Sequence, residues 1–247
     1  MDLSQRTSML VAAVAASVAA ALATAPSADA QQRKSLRWAT SSVSSYGYKV
    51  AATMTKTIEQ ALGGQYTVTV NPYPQTTSAT KAAMDGNAEV GYTADIGMAQ
   101  LYEGVGGFKN YKPGKGMLVH AWYAYPMESF MAVAAKNAGK YKCLKDFSGK
   151  PVFFTTAGFM NWLNFQRIFK VLGYEFKHVQ IDAKTNADTL DAGTVVGSVA
   201  YTVSGRSLSP YWKETDVRAS IAVINPCPDE VAKLKAAGLA IKPVDPK

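Results

Sequence analysis

Between residues 36 and 237 the chain keeps changing its hydrophobic period, and this limits it to folds in which helices pack on sheets. Short runs at 36–39, 66–70, 89–92, 152–154, 178–181, 198–202 and 220–224 are continuously apolar or alternate, as strands do. Between them apolar residues recur at helical spacing. Val50, Met54, Ile58 and Leu62 precede Gly63-Gly64, and Trp162, Phe165, Ile168, Phe169 and Leu172 precede Gly173. Shorter helical segments are expected at 76–84, 95–102, 187–190 and 228–237. A longer apolar region, 117–125 followed by 130–135, reads as a buried strand. Strands and helices in alternation predict an α/β fold with mostly parallel sheets. The Gly- and Lys-rich stretch at 104–116 marks a boundary between two lobes, and no internal repeat or heptad is present.

The first 30 residues stand outside this pattern. Arg6 precedes a run of Ala, Val and Leu, and Ala28-Asp29-Ala30 has the small-x-small form that a signal peptidase cuts. The run is shorter than the roughly 20 residues of a membrane span. The expectation is export to the periplasm with cleavage after Ala30. The net charge of +8 is spread over scattered lysines, so it implies solubility and mild attraction for anions, not a nucleic-acid partner. Cys143 and Cys227 are an even pair in an oxidising compartment and are expected to bond. In the chain-entropy account that contributes about 4–5 kcal/mol; two unpaired buried thiols are the alternative.

Small hydroxyl residues gather where strands give way to helices: Ser41, Ser42, Ser44 and Ser45, then Thr76-Thr77-Ser78, then Thr155-Thr156-Ala157-Gly158. In an α/β sheet, ligands sit beyond the carboxyl ends of the strands. Helices that start there offer unpaired N–H groups and a positive dipole end. Each junction taken alone reads equally as ordinary N-capping; the three together read as a cradle for an anion or polar solute. Arg206, just past a strand, is either a carboxylate clamp or an exposed loop residue. Trp122, Tyr123 and Tyr125 either line a cleft or pack in a core. Catalysis has little support. His120 and His178 read as structural, and no zinc-protease, G-x-S-x-G, phosphate-loop, EF-hand or C-x-x-C pattern occurs. No catalytic residue, metal ligand or cofactor is expected.

These junctions, in this order behind such a leader, resemble the solute-binding proteins of tripartite ATP-independent periplasmic (TRAP) transporters, and among them the TAXI branch, over most of residues 36–240. The family's first loop, roughly T-G-S-x-G-G-x-Y-Y, stands here as Thr40-Ser41-Ser42-Val43-Ser44-Ser45-Tyr46-Gly47-Tyr48. Thr40, Ser42 and Tyr48 match, with serines in place of glycines. The family's Q-S-D is Thr93-Ala94-Asp95, and its L-Y-P-E is matched at Tyr125-Pro126, with Met127 in the Glu place. Its V-x-x-G-x-x-G-S-G-T loop falls on 152–161, keeping Gly158 and placing Asn161 in the Thr position.

The resemblance implies a two-lobed, type II periplasmic-binding-protein-like receptor with a hinge. It would close on a small organic anion or acidic amino acid and deliver it to the membrane subunits of an ion-gradient-driven transporter. The expected division is 1–30 signal peptide, 31–120 first lobe, 121–219 second lobe, and 220–247 a strand and helix returning towards the first lobe. Family members continue past the last helix, so the chain is expected to be a shortened or truncated member. Expected ligand contacts are Ser42, Ser45, Tyr48, Thr77 and Asp95 from the first lobe and Tyr125 from the hinge side. The second lobe would supply Thr156, Gly158, Asn161 and Arg206. The rival readings are an ABC-transporter receptor, a stand-alone periplasmic sensor and an exported hydrolase or transferase. Export from a bacterial host should yield a chain beginning at Gln31 by intact-mass measurement; a membrane-retained species with residues 1–30 attached would identify an anchor instead.

Overall fold

Strand alternation decides how the first lobe is layered. In β1 (Lys34–Thr40), Trp38 and Ala39 are both buried, on opposite faces. Trp38 packs with Ala51 and Val68, backed by Met54 and Ile58 of helix α1 (Tyr46–Ala61). Ala39 packs with Ala79 and Ala82 of α2 (Thr76–Met84). β2 (Tyr66–Pro72) and β3 (Val90–Gly91) flank β1 in the order β2-β1-β3, and β3 runs parallel to β1, with Ala39 opposite Gly91. The alanine-lined face lets α2 approach closely: a Cβ on Gly91 would lie 2.9 Å from that of Ala83. α3 (Asp95–Glu103) adds Leu101 to a small cluster with Met84 and Phe108.

This computed structural model describes residues 33–112 and 118–242. The expected export signal, the cut after Ala30, Met117 and residues 113–116 of the 104–116 loop lie outside those residues. Among the described residues no helix is long and apolar enough to cross a membrane.

The second lobe is built on β4 (Met127–Ala134), β5 (Val152–Phe153), β6 (Gly197–Val203) and β8 (Ile221–Ile224) in the order β5-β6-β4-β8, with β7 (Ser207–Leu208) hairpinned onto β6. Period two again sorts the core. Met131, Val133, Val152 and Val199 share one face with Phe165 and Phe169 of α4 (Met160–Leu172) and Leu234 of α7 (Pro228–Ala236). Ala132, Phe153 and Ala200 share the other with Leu190 of α5 (Asn186–Asp191) and with Tyr211 and Trp212 of α6 (Pro210–Ala219). Each large side chain buried on α4 contributes roughly 1.5–3 kcal/mol. The helix stops at Gly173, whose φ of +74° suits glycine.

Four expectations need correction. β5 and β6 are parallel, but β4 is antiparallel to both β6 and β8, so this sheet is mixed; β4 begins, at Met127, opposite Val203 where β6 finishes. The apolar run ahead of it forms no strand over 118–126. No strand pairs with it among the described residues; Val119 and Tyr123 are exposed, and Trp122 meets Trp38 edge-on, centroids 5.4 Å apart. Around 178–181 only an isolated bridge, Val152 to His178, forms. The described part of 220–247 does not return to the first lobe: β8 pairs with β4 and Leu234 enters the second lobe's core.

What holds α7 there is covalent and polar. Cys143 and Cys227 are bonded, with Cα atoms 5.2 Å apart across 84 positions of chain. Beside them Glu230, 1% exposed, accepts from Leu144 N, Lys145 N, Cys227 N and Tyr174 Oη at 3.1, 2.8, 2.7 and 2.8 Å. Burial, reinforced by the hydrogen bond to Glu230, pushes the Tyr174 hydroxyl up to about 12. Cys143, Cys227 and Glu230 are close enough together to hold a metal ion, but both sulfurs are spent on the disulfide and the carboxylate is occupied by four donors. The group is a structural clamp. Replacing Glu230 with Ala strands these buried donors and should cost about 3 kcal/mol. Urea unfolding of the oxidised protein measures it; a loss below about 1 kcal/mol would deny the clamp its role.

Candidate functional site

Three of the chain's strand-to-helix turns open onto one cleft. After β1 the chain turns through 41–45 into α1, after β2 through 73–75 into α2, and after β5 through 154–159 into α4. The first lobe lines the cleft with Ser41, Ser45, Gly47, Thr76 and Tyr92; the second lines it with Met127, Phe159, Met160, Asn161 and Tyr201. The space left for the centre of a water molecule is about 10 Å³, room for roughly one ordered water, so the lobes stand nearly shut.

The three helix starts are treated differently. α1 is capped: Ser45 Oγ accepts from Tyr48 N at 3.1 Å and from the Ser41 hydroxyl at 2.8 Å. α2 and α4 have Gln75 and Phe159 at their N-cap positions, and neither side chain caps. Thr77 N reaches Gly158 O at 3.4 Å across the lobes. The N–H groups of Thr76, Ser78, Met160, Asn161 and Trp162 find no acceptor among the described residues. The Thr76 hydroxyl is likewise without a partner there, in a residue only 3% exposed. Two uncapped helix starts, each carrying roughly half a positive charge, therefore face one gap from opposite lobes.

No carboxylate, ammonium or guanidinium lines that gap among the described residues. Burial pushes the Tyr92 hydroxyl up to about 12, opposed by its hydrogen bond to Tyr125. Burial raises Tyr201 as well, so both rings are neutral at physiological pH. The field in the cleft comes from backbone dipoles, and its sign favours an anion.

Closure is stitched by few contacts. Tyr92 Oη and Tyr125 Oη are 2.7 Å apart, and Tyr46 meets Tyr125 edge-on with centroids 5.1 Å apart. Tyr46 N points at Tyr201 Oη at a long 3.5 Å. Gly97 is packed so closely that a Cβ there would lie 2.7 Å from Met160 Sδ. Gly158, with φ of +86°, sits where a Cβ would collide with the Gln75 side-chain amide and come within 3.1 Å of Thr77 Oγ1. The loop that carries it is held from behind by Gln180, which accepts from Ala157 N at 3.0 Å and pairs with His178 Nε2 at 3.1 Å. His178 itself lies among Phe153, Phe154, Phe176 and Trp162. Burial holds its pKa below the usual value, so it acts as a neutral support. At the start of the same loop Thr155 is fully buried at φ +65°, a conformation that costs a non-glycine residue on the order of 1–3 kcal/mol.

Of the residues expected from sequence, Ser45 and Asn161 line the cleft. Asn161 is 3% exposed and donates to Ser129 Oγ at 3.2 Å. Thr77 and Gly158 touch each other at its edge, and Thr156 lies in the Gly158 loop, its carbonyl accepting from Phe159 N. Tyr125 stands one layer behind, against Tyr92 and Tyr46. Ser42 and Tyr48 belong to the capping turn: Ser42 O accepts from Ser45 N. Asp95 is exposed and folded onto Ile96 N at 2.8 Å. Arg206 is exposed in the β6–β7 turn. Neither charge is in the lining. Ser41 and Thr76, read from sequence as part of the hydroxyl-rich cradle though not among the expected contacts, also line the cleft. Sequence reasoning missed Gly47, Tyr92, Met127, Phe159, Met160 and Tyr201; Tyr92 directly follows β3. Tyr201 and Met127 carry no local signal, because only strand pairing brings them to the cleft.

No protein-family model matches the chain, and no curated protein matches it. Among solved structures it is similar to a protein assigned as an L-cystine ABC transporter from Listeria monocytogenes, with 14% identity over 78% of this chain and 77% of that one, TM-score 0.53. It is also similar to the amino acid ABC transporter substrate-binding protein AbpA from Streptococcus pneumoniae, with 12% identity over 83% of this chain and 90% of that one, TM-score 0.53. At such identities the likeness establishes the fold, a two-lobed periplasmic-binding-protein-like architecture.

Because Gly158 closes against Gln75 and Thr77, Gly158→Ala should hold the lobes apart. It combines a strained φ with a steric clash, of order 1 kcal/mol or more. Small-angle scattering should show a larger radius of gyration than for the unaltered protein; an unchanged radius would remove Gly158 from the closing contact.

Proposed function

We propose that this chain is an extracytoplasmic solute receptor, a binding protein and not an enzyme. It captures a small organic anion or acidic amino acid between its lobes and passes it to a membrane transporter. The observation that carries this reading is the pair of uncapped helix starts, α2 and α4, turned onto one narrow cleft from opposite lobes. A solute oxyanion would complete both at once. That is how a ligand gains contacts in the shut state that it lacks in the open one, and so drives closure. In this role Thr76, Thr77 and Asn161 supply donors, with the backbone at Gly158 allowing close approach. Ser42, Ser45 and Tyr48 shape the first turn, and Thr156 and Tyr125 support it from the second lobe and the hinge. Asp95 and Arg206 act outside the first contact layer.

The leader sequence supports a place outside the cytoplasm. The colinear loops support delivery to an ion-gradient-driven transporter of the TRAP type, TAXI branch. Delivery to an ATP-driven transporter is the second reading, favoured by the origin of the solved structures with this fold. Transport into proteoliposomes, driven by an ion gradient or by ATP, separates the two. An exported hydrolase is disfavoured by the lining, which holds no His, Cys, Asp or Glu among its residues.

Thr76→Val tests the site with little risk to the fold. It removes a hydroxyl that has no partner among the described residues, so stability should stay within about 0.5 kcal/mol. Affinity for the best-binding anion in a thermal-shift screen should fall about tenfold, or about 1.4 kcal/mol. If affinity is untouched, or if no anion shifts the melting of well-folded protein, the reading is wrong.

A further inference from the structure

We infer that the solute is a monoanion, with a single oxyanion head on an uncharged, partly apolar body and no ammonium group. The inference rests on the receptor reading and narrows it. The head would be held by the open N–H groups at the starts of α2 and α4 and by the Thr76 hydroxyl, which is 3% exposed, lines the cleft and has no partner among the described residues. The rest of the wall combines Ser41, Ser45, Gly47 and Asn161 with Tyr92, Met127, Phe159, Met160 and Tyr201, which suits hydrocarbon or hydroxylated carbon.

An ammonium group finds no counter-charge there. The carboxylate nearest in sequence to the lining, Glu128, is turned to Thr202 Oγ1 at 3.1 Å and Gly205 N at 2.9 Å, and Asp95 is exposed and bound to its own helix. The positive helix ends repel a cation, and a buried charge without a partner is costly. The hydroxyls of Ser41, Ser45 and Thr76, the Asn161 amide oxygen and the faces of Tyr92 and Tyr201 offer an ammonium only uncharged partners, weaker than a counter-charge. A second anionic group would meet no lysine or arginine in the lining either. Carboxylates and sulfonates share the required head, and both are consistent with the geometry.

The test uses the unaltered mature chain and ligand pairs in which a hydrogen or a carbonyl oxygen takes the place of the ammonium group. Suitable pairs are 4-methyl-2-oxopentanoate with leucine, phenylpyruvate with phenylalanine, and ethanesulfonate with taurine, titrated by calorimetry. In at least one pair the ammonium-free member should bind at least tenfold more tightly; the third pair against the first two separates sulfonate from carboxylate. Asn161→Asp, which sets a negative charge at the start of α4, should weaken the ammonium-free binder at least tenfold while circular dichroism stays unchanged. Equal or tighter binding of the amino acids, or an Asn161→Asp protein that is folded and binds normally, overturns this inference and leaves the receptor standing. A folded protein that binds no member of any pair, and no other carboxylate or sulfonate, overturns the receptor reading and this inference with it.

Discussion

The rest of the site depends on backbone amides that the protein leaves open. Helices α2 and α4 have Gln75 and Phe159 at their N-cap positions, and neither side chain accepts a hydrogen bond from a backbone N–H of the first turn. A helix start without a cap forgoes on the order of 1 kcal/mol. Here two such starts, from separate sheets, point into the same gap, and the side chains around them carry no charge. The third helix shows a partial contrast: α1 has a serine cap, and of its first three N–H groups only that of Gly47 lacks an acceptor among the described residues. The polarity of the cleft is thus built from peptide dipoles, which cannot be titrated and need no rotamer to be frozen when a solute arrives.

The two lobes are unequally built for this work. The second has two buried faces rich in Phe, Trp and Leu, a disulfide and the Glu230 clamp. The first rests on alanines over a three-stranded sheet. The heavier lobe positions the Gly158 loop rigidly, through Gln180 and His178. Where the lobes meet, the contacts described above include a peptide hydrogen bond at Gly158, tyrosine contacts around Tyr125 and Tyr201, and a glycine against a methionine. Contacts of this kind can part and re-form, as the proposed receptor would require.

Much of this was legible in the chain. The helix faces at 50–62 and 162–172, their glycine stops and the hydroxyl-rich turns after β1, β2 and β5 are local patterns, and local patterns survive into the structure because backbone sterics and burial of one face act over a few residues. The failures have one physical origin. The run before Met127 is as apolar as a strand, yet a strand exists only when another offers its N–H and C=O groups, and none pairs with it among the described residues. Nor does the period of 220–224 say which sheet will accept it; β4 does. Arg206 and Asp95 looked chemically apt, but side-chain type carries no information about which way a turn faces.

The sequence by itself determined the class of fold, the positions of the helix starts and the pairing available to its two cysteines, since each follows from short-range periodicity, from capping chemistry or from an even count of two. Only the tertiary structure decided that the starts of α2 and α4 line one cleft and that Tyr201 and Met127 complete the wall. It also decided that, among the described residues, no charged side chain is in the lining. Those are relations between residues far apart in the chain. They are set by sheet order and strand register, which arise from the competition of all the apolar surfaces for burial at once.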